Sequence, residues 1–233
     1  MSETLATLEA RLGYVFQDPS LLERALLHLS YVAEHPLAGE SNQRLEFLGD
    51  AVLQIFTAEE LFRLFPAERE GVLTTRRAVL VNRAFLAQLA REVGLPALLR
   101  LGQSEEAGGG RNRTSNLGDA FEALIGALYL DSDIITTRGV LRTIYGDLNA
   151  RLAGLEDSAN PKGRLQEIVQ PKHGNTALRY DVILATGEDH AREYEVAVYL
   201  LDEKLGTGRG SSKKQAEEAA ARAALLVIPK AEA

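Results

Sequence analysis

The sequence predicts an all-α N-terminal domain followed by a smaller α+β domain of order α-β-β-β-α. Three observations carry this. Apolar residues recur at helical spacing from residue 4 to about residue 152. The period then switches to two, with Leu178, Tyr180, Val182 and Leu184 alternating along one segment and Tyr194, Val196, Val198 and Leu200 along the next. The same helix start, a capping side chain followed by proline, occurs at Asp18-Pro19 and again at Asn160-Pro161.

Leu5, Leu8 and Leu12 predict a helix over residues 4–12, with Gly13 as its stop. Asp18-Pro19 opens a helix carrying Leu22, Ala25, Leu26 and Leu29, with His28 near its end in a structural role. Residues 34–41 read as a loop. Asn42 is placed to cap a long helix running toward Pro66, and residues 67–71 form a polar connection. Leu73, Leu80, Leu86 and Leu89 predict one further helix, which Gly94 ends. Residues 102–114 read as a flexible loop with two cations, Arg111 and Arg113; either it is a plain surface loop or it contacts phosphate. Ser115 or Asn116 caps the next helix, and a last one from Asp133 to Leu152 closes the first domain.

Residues 153–160 are expected to be a linker. A helix over Lys162–Gln170 follows, then two alternating strands around a turn at residues 187–190. Residues 204–209 are a candidate third strand, and a final helix spans about residues 212–227. This order suggests an antiparallel sheet backed by two helices.

The first domain is organised around Arg44-Leu45-Glu46-Phe47-Leu48-Gly49-Asp50-Ala51-Val52-Leu53. Read as a helix, Leu45, Leu48, Val52 and Ile55 share a stripe expected to be buried. Glu46 and Asp50, four apart, project from one side and border that stripe. Like charges at this spacing repel, and partial burial worsens the repulsion. A second stretch, residues 117–130, is apolar enough for a central helix with Leu117, Phe121, Leu124 and Leu128 as its core stripe. Asp119 and Glu122 share another face with Gly126. Acids embedded in such helices are expensive to bury without a cation. If the two helices face each other, four carboxylates converge. All-oxygen ligands suit Mg²⁺ or Mn²⁺, and no histidine or cysteine lies in either stretch to favour zinc or a di-iron site.

The bulk properties are those of an ordinary globular chain. There is no cysteine, so neither a disulfide framework nor a thiolate metal site exists. No segment is apolar and long enough to span a bilayer, and residues 1–4 lack the plan of a signal peptide, so the expected location is cytoplasmic. The net charge is −7. Residues 160–233 hold 11 Lys+Arg against 11 Asp+Glu, which leaves the whole excess of acid in the first domain. Any nucleic-acid site must therefore be a local basic stripe. One candidate is Ser211-Ser212-Lys213-Lys214-Gln215. Ser212 and Gln215 have capping-box spacing. Lys213 and Lys214 sit where the helix dipole disfavours cations. They are either solvated cap residues or, with the free N–H groups there, a phosphate site.

The stretch RLEFLGDAVL resembles the signature of the bacterial ribonuclease III family. GDAFEALIGALYL is similar to that family's second acidic motif, and the C-terminal part resembles its double-stranded-RNA-binding domain. The resemblance covers nearly the whole chain. It implies a helical endonuclease domain over residues 1–152 and a double-stranded-RNA-binding domain over residues 161–229. It implies Mg²⁺-dependent hydrolysis of duplex RNA, with Mn²⁺ a possible substitute, leaving 5′-phosphate and 3′-hydroxyl ends with short 3′ overhangs. The implied role is rRNA or mRNA processing by a homodimer.

Carried over by motif, Glu46, Asp50, Asp119 and Glu122 are the metal ligands, with Asp50 and Glu122 the catalytic pair. Glu70 matches a further supporting acid, and Gln43 stands where the family usually has glutamate. Leu29 replaces an arginine common in the family. In the second domain Gln166 and Glu167 match the minor-groove helix, Gly187 and His190 the loop that reaches the next minor groove, and Ser212, Lys213 and Lys214 the phosphate site. The acids Glu188 and Asp189 between Gly187 and His190 are awkward near phosphates. The alternatives are a non-catalytic double-stranded-RNA-binding protein of processing or regulation, and a metal-dependent phosphohydrolase of small substrates.

Overall fold

The computed structural model describes residues 4–186 and 192–228. Two compact units, Met1–Leu148 and Asn149–Ala233, divide the chain. The first is helical: α1 (Leu5–Leu12), α2 (Pro19–Ala25), α3 (Leu29–Glu34), α4 (Gln43–Leu64), α5 (Glu70–Leu80), α6 (Arg83–Val93), α7 (Leu95–Leu98), α8 (Gln103–Ala107), α9 (Thr114–Asp131) and α10 (Ile134–Tyr145). A further helix, α11 (Leu148–Ala159), begins at the boundary between the units.

Helix α9 is the core. Leu117, Phe121, Leu124 and Leu128 are fully buried, as the sequence predicts, but so are Ala120, Ala123, Ile125 and Ala127 on its other sides. A helix apolar on most of its sides must be covered on most of them. Here α4, α6, α2 and α10 all pack against α9.

Several expected elements are cut differently, each for a local reason. The helix opened by Asp18-Pro19 is two helices. Between them the Arg100 N–H donates to Leu26 O and the His28 N–H to Arg100 O, which pulls the chain out of helical geometry. His28 then caps α3, its ring accepting from Ser30 N. The helix expected through Leu73 and Leu89 also breaks, because Asn82 caps α6 by accepting from Phe85 N at 2.9 Å. The last helix of the first domain stops at Tyr145, where Gly146 adopts a positive φ of 59°. Helix α11 restarts beyond it and covers most of the expected linker 153–160.

On α4 the buried stripe is rotated from the expected one. Leu45, Gly49, Val52, Leu53, Phe56 and Leu61 are buried, Leu48 is half-buried, and Ile55 is 52% exposed. The gap in the expected stripe is filled by Gly49, which carries no side chain to bury.

The loop before α9 is not the free cationic loop the sequence suggests. It contains α8 and a 3-10 turn at Gly110–Asn112. Arg111 donates to Glu106, Pro96 O and Leu99 O, and Arg113 pairs with Glu105. Asn116 does not cap α9; it lies inside the helix and donates to Glu105 and Gly110 O.

The second unit has α12 (Pro161–His173), β1 (Leu178–Thr186), β2 (Glu193–Leu200), β3 (Glu203–Gly210) and α13 (Lys213–Val227). The strands form one antiparallel sheet in the order β1-β2-β3. Its core joins Leu165 and Val169 of α12, Val196 and Val198 of β2, and Ala216, Ala220, Ala221 and Ala224 of α13. Alanines on α13 face glycines on β3. A Cβ added at Gly206 would lie 2.8 Å from Ala220 O, and one at Gly210 2.7 Å from the Cβ of Gln215. The small residues let helix and strand approach closely. Leu178 and Tyr180 pack on this core, whereas Val182 and Leu184 are 44% and 49% exposed, and the strand register shifts between those two.

Candidate metal centre and nucleic-acid interface

Helices α4 and α9 touch at two glycines. A Cβ added at Gly49 would collide with Glu122 O and lie 2.9 Å from Gly126 N. One added at Gly126 would collide with Leu45 O and lie 3.1 Å from Gly49 N. Neither backbone can accept a side chain there, so the two helices lie closer than packed side chains permit. Glu46 and Asp50 flank Gly49, and Asp119 and Glu122 precede Gly126. The crossing therefore fixes where both pairs of acids stand.

Carboxylate oxygens of Glu46, Asp119 and Glu122 all lie within 4.8 Å of one another. Asp50 stands outside this group of three. It is exposed, and its Oδ1 accepts a long 3.4 Å bond from Gln54 Nε2.

The electrostatics express this crowding. Burial first, and then the charges of Asp50, Asp119 and Glu46, together raise the Glu122 carboxyl to about 7. Glu46 is raised by burial and by Asp119, and Asp119 by burial. Arg83 opposes the rise at all three. Its Nε lies 3.7 Å from Asp119 Oδ1. His28 acts on Asp119 in the same sense.

This donor set fits a divalent cation. It is oxygen-only, as hard cations require, and it gathers half-buried acids that repel one another when no positive charge is between them. Within the described residues, the histidines and acids offer no other group of three at metal-ligand spacing.

Gln43 lines a cleft of about 360 Å³ together with His28, Leu29, Glu46 and Asp119. Glu70 does not join the acids. It starts α5, accepts from Thr74 at 3.0 Å, and lines a separate cleft with Leu61, Phe62 and Arg77.

In the second unit, Ser212 caps α13, its Oγ accepting from Gln215 N at 3.2 Å. The return half of the box goes elsewhere, since Gln215 Oε1 accepts from Ser211 N and Oγ. Lys213 and Lys214 occupy the first turn of α13, Lys214 with only a 4.0 Å approach to Glu218. On α12, Gln166 donates to Asn175 O at 3.0 Å and Glu167 pairs with Arg164. Gly187 and His190 lie outside the described residues.

The sequence reading did not assign Gly49, Arg83 or His28 to the site. A signal existed for the first: glycine inside an otherwise strong helix is costly unless something must come close. Arg83 and His28 belong to other helices, and only the fold brings them to the acids.

Comparison with known proteins places these features in context. Residues 18–148 match a family model described as ribonuclease-III-like, and residues 161–228 match the double-stranded RNA binding motif. The chain is 44% identical to Ribonuclease 3 of Carboxydothermus hydrogenoformans over 97% of this chain and 96% of that protein. It is 42% identical to Ribonuclease 3 of Enterococcus faecalis over 98% of this chain and all of that one. Among solved structures, the nuclease domain of ribonuclease III from Campylobacter jejuni aligns with 61% of this chain and 95% of its own, at 38% identity and a TM-score of 0.57. A second structure of that domain, with the same TM-score of 0.57, describes flexibility in the region involved in its dimer formation.

Proposed function

The chain belongs to the ribonuclease III family and is an endoribonuclease of double-stranded RNA, and we propose that Glu46, Asp50, Asp119 and Glu122 carry its cleavage chemistry. The observation that supports this most is the Gly49–Gly126 crossing, which crowds three of the acids within 4.8 Å and leaves the fourth close enough to raise Glu122. We assign Mg²⁺ as the natural ion and Mn²⁺ as a substitute. Bound there, divalent cations reverse the site's charge, activate water and stabilise the leaving oxygen. The residues do the rest. Glu46, Asp119 and Glu122 present oxygens from a rigid helix pair, while Asp50, the exposed one, is free to turn in from the rim. Glu122, whose carboxyl is raised to about 7, would give up its proton to hold the cation. The products are 5′-phosphate and 3′-hydroxyl ends with short 3′ overhangs.

The second domain, residues 161–229, holds the duplex. Backbone N–H groups at the start of α13, with Lys213 and Lys214, suit a phosphate. Gln166 and Glu167 are assigned to one minor groove, and Gly187 and His190 to the next. Such a domain reads shape and 2′-hydroxyls rather than base sequence. Glu70 and Gln43 are kept as supporting residues.

We assign a homodimer built through α4. Phe47, Ile55 and Phe62 are 81%, 52% and 74% exposed. With Ala51 they form one stripe opposite the buried face, at helical spacing. A lone exposed phenylalanine is unremarkable, but a continuous apolar stripe marks an interface. The partner is a second copy, as in the Campylobacter jejuni nuclease domain described in terms of its dimer. Among the described residues no helix is long and apolar enough to cross a membrane. The cytoplasm is the proposed location, and rRNA and mRNA precursors are the proposed substrates.

The test is incubation of the purified chain with a long RNA duplex, in Mg²⁺ and in EDTA. Cutting only with the metal is the expected result. Binding without cutting in any divalent metal would move the chain to the non-catalytic class.

A further inference from the structure

We propose that Arg83 is a substrate-positioning residue: paired with Asp119 in the resting site, it swings to a phosphate of the RNA strand when substrate and metal occupy the acids. The proposal rests on the nuclease reading above and adds a residue that neither acidic motif contains.

Arg83 has a fixed base and a loose head. It is the first residue of α6, directly after the Asn82 cap. Its backbone is pressed against α9: a Cβ added at Gly118 would lie 3.4 Å from Arg83 O and 3.6 Å from Arg83 Cα. Gly118 immediately precedes Asp119, so the point from which the guanidinium swings is set relative to the acids. The side chain itself is 71% exposed. Its ion pair with Asp119, at 3.7 Å, is longer than a hydrogen bond, and among the described residues no hydrogen bond holds the guanidinium.

Charge decides which partner it takes. In the resting site Arg83 is the cation that favours the ionised form of Glu46, Asp119 and Glu122 alike. Once the acids' charge is satisfied by another cation, that attraction is cancelled. The nearest new anion is then the backbone of an RNA strand laid across the acids. An arginine fork suits phosphate oxygens better than a single carboxylate 3.7 Å away. The first domain carries the chain's excess of acid, so a local cation beside the acids helps to hold a polyanion there.

The experiment compares the native chain, Arg83→Ala and Arg83→Lys. Arg83 is exposed and starts a helix, so alanine is tolerated there. Duplex affinity is measured against salt, once in EDTA and once in Ca²⁺, with the RNA checked for intactness afterwards. In Ca²⁺ the alanine variant should lose roughly 0.7 to 0.9 from the salt slope per protomer, the value for one phosphate contact. The lysine variant should recover it. In EDTA all three slopes should coincide, because the acids without a metal attract Arg83 and repel the RNA strand. Unchanged slopes in Ca²⁺ would make Arg83 a mere counter-ion of the acids and overturn the proposal. An equal loss in EDTA and Ca²⁺ would overturn the exchange of partners. A native chain that fails to cut duplex RNA in Mg²⁺ is a separate failure, that of the nuclease reading, and it is read from a different assay.

Discussion

Gly49 and Gly126 face each other where α4 crosses α9, and neither has room for a side chain. The Cβ of either would sit 2.9–3.1 Å from the other's backbone nitrogen and collide with a carbonyl of the facing helix. Gly49→Ala should therefore force α4 from α9, an overpacking cost of about 1–3 kcal/mol or more. It should also scatter the acids, so Mg²⁺-dependent cutting falls further than stability does. Gly139→Ala is the control. That helical glycine has open space around it, and alanine there should stabilise by roughly 0.5–1 kcal/mol. Thermal melts and cleavage rates of both variants decide it; an active, undisturbed Gly49→Ala chain would mean the crossing is not tight.

Glu122 makes a pH prediction with a definite sign. Its folded carboxyl titrates at about 7 against an ordinary 4.5. The folded state thus binds the proton more tightly, and the stability this supplies is complete below 4.5 and lost as pH rises through 7. In EDTA the melting temperature should fall across that window. Glu122→Gln should flatten the fall, keep duplex binding and abolish cutting. Proton and metal compete for one carboxylate, so the Mg²⁺ needed for half-maximal cutting should drop between pH 6 and pH 8. A pH-independent Mg²⁺ requirement would remove Glu122 from the metal site.

The acids were legible in the sequence because each pair lies on one helix, where spacing alone fixes the face. The apolar α9 was legible for the same reason. Relations between helices were not. Nothing in the spacing of Arg83, or of His28, says that α6 and the start of α3 flank Asp119. Breaks at Leu26–His28 and at Asn82 were missed because a tertiary bond to Arg100 and a cap overrode apolar patterns that continue through both. Arg111 and Arg113 read as free cations because Glu105 and Glu106, a few residues upstream, reach them only after the loop folds into α8 and its 3-10 turn.

Glu60 is the one charged side chain of α4 that is fully inside, at 5% exposure. Burial pushes its carboxyl up, yet bonds from Arg142 and Arg63 outweigh this and hold it below the ordinary value. Arg142 grips one oxygen with Nε at 3.0 Å and Nη2 at 2.6 Å, tying α10 to α4. Arg142→Ala leaves Glu60 with Arg63 alone and should cost about 2–3 kcal/mol, below the full cost of stranding a buried charge. The lowered carboxyl stabilises the fold above pH 4.5, and that share is lost on acidification. The variant should accordingly lose less stability than the native chain as pH falls below 4.5. Parallel acid profiles would show that the pair contributes nothing.

Lys213→Ala with Lys214→Ala removes two cations from the start of α13 but leaves the Ser212 cap in place. Duplex affinity should weaken and its salt slope fall by roughly one per lost contact. The cleavage rate at saturating RNA should stay the same, since neither residue is among the acids assigned to cleavage. An isotherm that does not move at any salt returns both lysines to plain surface residues.

Gln43 tests how far the metal site extends along α4. It lines the same cleft as Glu46 and Asp119, together with Leu29. It starts α4, three residues before Glu46. Glutamine keeps the length and the carbonyl acceptor of glutamate and loses its charge. A fifth carboxylate here would join a group whose members already raise one another, so Gln43→Glu should push Glu46 higher still and draw in a cation more strongly. If the three close acids and Asp50 suffice as ligands, the added charge acts from outside them. Its effect on Mg²⁺-dependent turnover should then stay within about tenfold, the scale of groups that orient ligands. Cleavage rate against Mg²⁺ concentration for both forms decides this. A native chain that barely cuts, rescued by orders of magnitude in Gln43→Glu, would make position 43 an essential ligand and the natural protein a binder of duplex RNA that has lost its edge as a nuclease.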